Sequence, residues 1–211
     1  MRVLQHPSPN FGPRRNGQTP CVVVIHYTAM QSAGAAITRL CDPDAEVSAH
    51  YLIAMSGEIT QLVQEDQRAW HAGAGQWRGQ ADVNSRSIGI ELDNAGTHPF
   101  SEPQMAALEF LLKGIMRRWP IHPDDVIGHS DMAPGRKIDP GSRFDWARLA
   151  RQGLAGPVEA AGNGDFLAAA SDAGFSADVP AATLLQATRL RFAPWRSGPL
   201  TEEDCALCHR V

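Results

Sequence analysis

Apolar positions along the chain fall into two periodicities. "CVVVIH" (21–26) is an unbroken β-branched run of the buried-strand kind, and "SIGIELDN" (87–94) repeats the pattern. "AHYLIAMSGEITQLV" (49–63) holds two strand-like runs around Ser56-Gly57, a hairpin signal. A brief strand is predicted in "DDVIG", just before position 129. Helical spacing takes over elsewhere. "QSAGAAITRLC" (31–41) predicts a short helix. From Ser101, with Gln104 three residues on as in a capping box, Met105, Leu108, Leu112, Ile115 and Met116 recur on one face until Trp119-Pro120 stops the run.

Strands alternating with helices, plus one hairpin, predict an α/β fold with a central mixed β-sheet flanked by helices. Residues 1–20, rich in Pro, Gly and Arg, read as an irregular arm, and "DQRAWHAGAGQWRGQADVN" as a Gly-rich loop. A composition shift at 151–164 predicts a linker between a main unit, 1–150, and a small helical C-terminal domain, 165–211. About fifty residues make a marginal independent core, so this segment is expected to dock on the main unit.

Composition narrows the function. The 211 residues carry a net charge of −4, which argues against nucleic acid as the main partner. No stretch approaches the roughly 20 apolar residues of a membrane span. The opening "MRVLQHPSPNFGPRRNGQTP" has no apolar signal-peptide core, so the expected place is the cytoplasm. Cys21 and Cys41 read as buried thiols. The tail "CALCH" (205–209) matches the c-type haem pattern by chance on this reading, and haem is not expected.

The chemistry concentrates in "IGHSDMAPGRKIDPG" (127–141), where His129, Lys137 and Asp139 lie within eleven residues among turn formers. His26 ends a predicted strand, and His129 follows another. Two imidazoles and one carboxylate are the ligand set of hydrolytic zinc sites that keep a position open for water. Taken alone, a His at a strand end is more simply a hydrogen-bonded core residue, and eight histidines make a chance pair easy to find. His71 and His50 stand as further possible ligands. Glu91 follows apolar Ile90 in its strand. It is either an edge-strand residue facing water or a functional carboxylate able to act as general base. Lys137 and Asp139, two apart, share one side of an extended segment. In "RAWHAG", Trp70 offers a groove-lining surface, as does Trp77 nearby, although a buried Trp is the more frequent case.

Together, "VVVIHYTAM", "VSAHYLIAMSGEITQLVQEDQRAWHAG", "SIGIELDN" and "GHSDMAPGRKIDPG" resemble the zinc-dependent N-acetylmuramoyl-L-alanine amidases, in particular the AmpD/AmiD group, related to T7 lysozyme-type amidases and peptidoglycan recognition proteins. The resemblance covers roughly residues 7–150. It implies that His26, His129 and Asp139 bind Zn2+, that Glu91 is the catalytic glutamate, and that Lys137 stabilises the tetrahedral intermediate. It places Tyr27, His50, Trp70, His71, Ala72 and Asn94 toward the substrate rather than the metal. The implied reaction cleaves the amide between N-acetylmuramic acid, in its 1,6-anhydro form, and L-Ala of the stem peptide, in cytosolic recycling. The helical tail weakly resembles a peptidoglycan-binding domain. The alternatives are an exported or endolysin-like amidase acting on intact wall, and a non-catalytic muropeptide receptor.

Overall fold

The computed structural model describes residues 1–157 and 164–207. Positions 158–163 of the expected linker, and Cys208 and His209 of "CALCH", lie outside the described residues. The strands are β1 (Val3–Gln5), β2 (Phe11–Pro13), β3 (Val22–Tyr27), β4 (Tyr51–Ile53), β5 (Ile59–Gln61), β6 (Gln67–Ala69), β7 (Ser87–Leu92) and β8 (Val126–Gly128). The helices are α1 (Ala33–Leu40), α2 (Val83–Arg86), α3 (Glu102–Arg118), α4 (His129–Met132), α5 (Trp146–Arg151), α6 (Phe166–Ala173), α7 (Ala181–Phe192) and α8 (Glu202–Leu207). The main sheet runs β1-β5-β4-β7-β3-β8, with β5 antiparallel to β4 and the other neighbours parallel. It is the mixed sheet the sequence predicts.

The two apolar strands earn their central places by being apolar on both faces. Val23 and Ile25 of β3, with Ile88, Ile90 and Leu92 of β7, point into a core closed by α3. Val22 and Val24 point the other way, into a core with Phe166, Ala169 and Ala170 of α6 and Leu184, Leu185 and Phe192 of α7. The C-terminal helices therefore dock as expected, and they cover the second face of the sheet. No helix among the described residues is long and apolar enough to cross a membrane.

Helix α3 starts where predicted. Ser101 Oγ accepts from the Gln104 amide at 3.3 Å, but Gln104 does not return the bond to Ser101. Its Nε2 donates instead to Ile53 O and Asp93 O at the ends of β4 and β7, so half of the capping box is spent on tertiary contact. A cap contributes about 1 kcal/mol. Burying Leu108, Leu112 and Ile115 contributes about 1.5–3 kcal/mol each, so packing rather than capping holds the helix.

Two expectations change. The N-terminal arm is not irregular throughout: β1 adds an edge strand beside β5, and β2 pairs with β6. Three-residue strands among prolines are too short to show a period. Arg14 then pins the arm, donating to the carbonyls of Glu65 at 2.7 Å, Ser85 at 2.9 Å and Ser87 at 3.0 Å. The Gly-rich segment likewise contains β6 and the start of α2. Trp77 within it is core, with Nε1 donating to Asp125 at 3.0 Å and its ring 5.4 Å from that of Phe175.

Candidate active site

The strand register builds the site. His26 is the direct neighbour of Glu91 across the parallel β3–β7 pair, so both side chains leave the same face of the sheet. Ile25 pairs with Gly128, the last residue of β8, and the next residue is His129, the first of α4. The ligand candidates thus collect at the carboxyl ends of adjacent parallel strands, where open α/β sheets bind their ligands. The 133–139 turn brings Asp139 back over this edge, and its carbonyl accepts from the Ser130 amide at 2.9 Å.

His26 Nδ1, His129 Nδ1 and Asp139 Oδ2 form a near-equilateral triangle with sides of 2.9, 3.0 and 3.1 Å. All three residues are buried. His129 Nε2 faces the Ala72 carbonyl at 2.8 Å and must donate to it, which leaves the neutral ring's Nδ1 as a lone pair aimed at the triangle. Several lone pairs facing one point suit a cation. Tetrahedral zinc, with bonds of about 2.0–2.2 Å, sets ligand separations of about 3.3–3.5 Å, slightly wider than the triangle found. His26, His129 and Asp139 are the group of described residues that could hold a metal ion.

Burial sets the protonation states around it. His26 is pushed down to about 4 by burial, with the His129 ring adding to the effect. His71 lies well below the histidine range, again through burial and then His26. Glu91 goes the other way, to about 8, because burial and then Asp139 oppose its charge more than Lys137 favours it. Its Oε2 is sealed from solvent and has no hydrogen-bond partner. The edge-strand alternative for Glu91 fails, since β7 lies between β4 and β3.

These values give the metal-free chain a defined pH dependence. Buried neutral imidazoles cost stability only below the ordinary histidine value near 6.5. Glu91 binds its proton more tightly folded than unfolded, so its contribution is lost as pH rises toward 8. Between pH 6.5 and 8, the Tm of metal-free protein should fall, and Glu91→Gln should flatten that slope. A wild-type Tm that is level across this window would contradict the burial assigned to Glu91.

A cavity of about 560 Å³ opens over the triangle, lined by His26, Glu91, His129, Lys137 and Asp139. Tyr27, Trp70 and His71 share that wall. The other residues expected near substrate sit elsewhere. His50 is buried beneath, its Nδ1 accepting from the Gly89 amide at 2.9 Å. Ala72 is buried and contributes its carbonyl to His129. Asn94 shapes the following turn, with Oδ1 accepting from Gly96 N at 2.7 Å. Arg136 was not singled out by the sequence. Its Nη2 donates to Ala72 O at 2.7 Å and to Ala74 O, tying the two site loops together. Nothing in a lone loop arginine signals this.

Behind the site, Asp131 Oδ2 accepts from Gly128 N at 2.8 Å and from Arg191 Nη1 of α7 at 2.9 Å. The guanidinium lies 4.1 Å from the centroid of the Trp146 ring and also donates to Val126 O at 3.2 Å. The C-terminal helices therefore brace the turn that presents His129.

Comparison with known proteins places this geometry. Residues 16–142 match the family described as N-acetylmuramoyl-L-alanine amidase. The chain is 43% identical over 151 residues to N-acetylmuramoyl-L-alanine amidase AmiD of Escherichia coli (strain K12), a match covering 63% of this chain and about half, 53%, of AmiD. It is 36% identical over 160 residues to 1,6-anhydro-N-acetylmuramyl-L-alanine amidase AmpD of Enterobacter cloacae, covering 68% of this chain and 86% of that protein. The solved complex of Escherichia coli AmiD with anhydro-N-acetylmuramic acid-L-Ala-D-gamma-Glu-L-Lys superposes with a TM-score of 0.80 at 32% identity, over 92% of this chain and 89% of that one. A mixed sheet with its polar triad at the parallel strand ends, in a chain whose matched segment spans more than half its length, makes this protein a member of the N-acetylmuramoyl-L-alanine amidase family.

Proposed function

We propose that this chain hydrolyses the amide joining the lactyl carbonyl of 1,6-anhydro-N-acetylmuramic acid to L-Ala of a stem peptide, with zinc held by His26, His129 and Asp139. The observation that carries this is Glu91. A half-buried carboxylate with one sealed, unpartnered oxygen, beside three ligand-type atoms in one cavity, has no structural use but suits proton transfer. Zinc there would supply a Lewis acid for the carbonyl and lower the pKa of water toward roughly 7. With a cation beside it offsetting the burial and the Asp139 charge that hold its proton in the metal-free chain, ionised Glu91 takes a proton from the attacking water and delivers it to the L-Ala nitrogen as the C–N bond breaks. Lys137, on the same wall, sets its ammonium toward the charge that builds on the carbonyl oxygen. Tyr27 and Trp70 form the apolar flank against which the substrate lies.

The anhydro sugar is supported by the relatives: one carries it in its name, and another is solved with an anhydro substrate. We place the activity in cytosolic recycling of soluble fragments. The test is turnover of anhydro-muropeptides against solubilisation of intact sacculi. The soluble fragment should be the better substrate by kcat/KM. Preference for sacculi would favour the endolysin-like reading, and binding without turnover the receptor.

A further inference from the structure

A line of imidazoles, His129, His26 and His50 buried and His71 half-buried, runs away from the metal triangle and is not used by the reaction above. Ring centroids are 4.5 Å apart for His129 and His26, 5.1 Å for His26 and His71, and 5.7 Å for His71 and His50. Within it, one set of bonds has a forced direction. Ser87 Oγ lies 2.6 Å from the carbonyl oxygen of Val83, so its only proton is donated there. Ser87 Oγ also lies 3.1 Å from His71 Nε2, and toward that nitrogen it can only accept. His71 Nε2 therefore carries the proton of this neutral ring, and His71 Nδ1 is a lone pair. That lone pair is 3.0 Å from His26 Nε2, which must then be the donor. His26 Nδ1 is left unprotonated, facing His129 Nδ1 and Asp139.

The surroundings are built to hold His71 in this role. Asn84 Oδ1 accepts from the amides of His71 and Ala72, at 3.0 and 2.8 Å, fixing the backbone on which the ring sits. The ring lies so close over β7 that a Cβ at Gly89 would come within 2.4 Å of His71 Cγ. Only glycine leaves room for it. The two sides of the metal triangle thus solve one problem in two ways. His129 is set by a main-chain carbonyl directly, whereas His26 is set by a carbonyl two residues removed.

We propose that His71 is a positioning residue: through Ser87 and the Val83 carbonyl it fixes the tautomer of His26, so that Nδ1 is presented as a metal ligand before the ion arrives. This rests on the zinc reading for its use, but not for its measurement. A metal-ligating histidine usually donates its other ring N–H to an acceptor that fixes its tautomer, and losing that acceptor typically costs about 10–100-fold in metal affinity.

The test uses the full chain labelled with 15N-histidine. In metal-free wild type, long-range proton–nitrogen correlation should show His26 with its proton on Nε2. Ser87→Ala should leave His26 as a mixture of tautomers. In chelator competition, His71→Leu should weaken zinc binding by 10–100-fold, and His71→Asn, which keeps an acceptor at the position of Nδ1, should recover most of the loss. Circular dichroism identifies any variant that fails to fold, and the wild-type tautomer decides the matter in that case. A proton on Nδ1 of His26 in the metal-free wild type would overturn the proposal, as would folded Ser87→Ala and His71→Leu chains that bind zinc as tightly as wild type. Failure of the wild type itself to bind zinc would sink the zinc reading while leaving the tautomer result to stand or fall alone.

Discussion

Glu91→Ala should lower kcat by 10²–10⁴ or more while the protein still binds one zinc per chain. The general base contributes about that range when it moves a proton in the transition state, and neither Asp139 nor Lys137 replaces it. Asp139 is one of the three ligand-type groups of the triangle, and Lys137 has no lone pair to offer in its charged form. The separation of turnover from metal content is the informative part. Glu91 belongs to the wall of the cavity and not to the triangle of ligand atoms, so its removal should spare the metal. It should also remove an unpartnered buried carboxyl oxygen, and the metal-free variant should be no less stable than wild type near pH 8. Loss of zinc together with activity would make Glu91 a ligand or a support, and the role given to it here would be wrong.

Arg191→Ala should be the most damaging single change to stability that leaves the cavity lining untouched. Both partners of the Arg191–Asp131 pair are nearly fully enclosed, at 4% and 1% side-chain exposure. Breaking a buried pair on one side leaves the other charge without compensation, at a cost of about 3–5 kcal/mol. For a chain of this size each kcal/mol moves Tm by about 2–4 °C, so a fall on the order of 10 °C is expected. Asp131 also accepts from the Gly128 amide, the residue before His129. The damage should therefore extend to metal affinity. Adding Asp131→Asn, which keeps an acceptor for that amide but removes the stranded charge, should restore much of the loss. Equal Tm values for Arg191→Ala and wild type would show that α7 does not brace the site.

How much of this was legible in the sequence differs residue by residue. His26 and His129 could be noticed because one ends, and the other follows, a run of residues that declares itself a buried strand. The periodicity of α3 was plain, and so was its starting serine. Glu91 could be noticed but not judged. Whether a carboxylate in a strand faces water or a site depends on strand order, and β7 gains its central position through crossovers that leave no local trace. The short strands of the arm were hidden because three residues carry no period, and their pairing is decided by partners far along the chain. His71 offers the clearest limit. Its spacing left it open as a ligand, yet it stands one hydrogen bond behind the triangle, a distinction that only the approach of its ring to Gly89 and Ser87 makes. The Arg191–Asp131 pair spans 60 positions with no signal at either end. A buried arginine on a helix looks, in sequence, like any solvated one.

The central claim is that His26, His129 and Asp139 hold a zinc ion on which amide hydrolysis depends. Its most direct measurement is mass-spectrometric assay of 1,6-anhydro-N-acetylmuramyl tripeptide with purified protein, before chelation, after chelation, and after stoichiometric zinc is returned. The account predicts release of anhydro-N-acetylmuramic acid and a free peptide beginning with L-Ala, loss of both products on chelation, and their return with zinc. Cleavage that survives complete removal of the metal, or no cleavage by fully zinc-loaded protein, would contradict it.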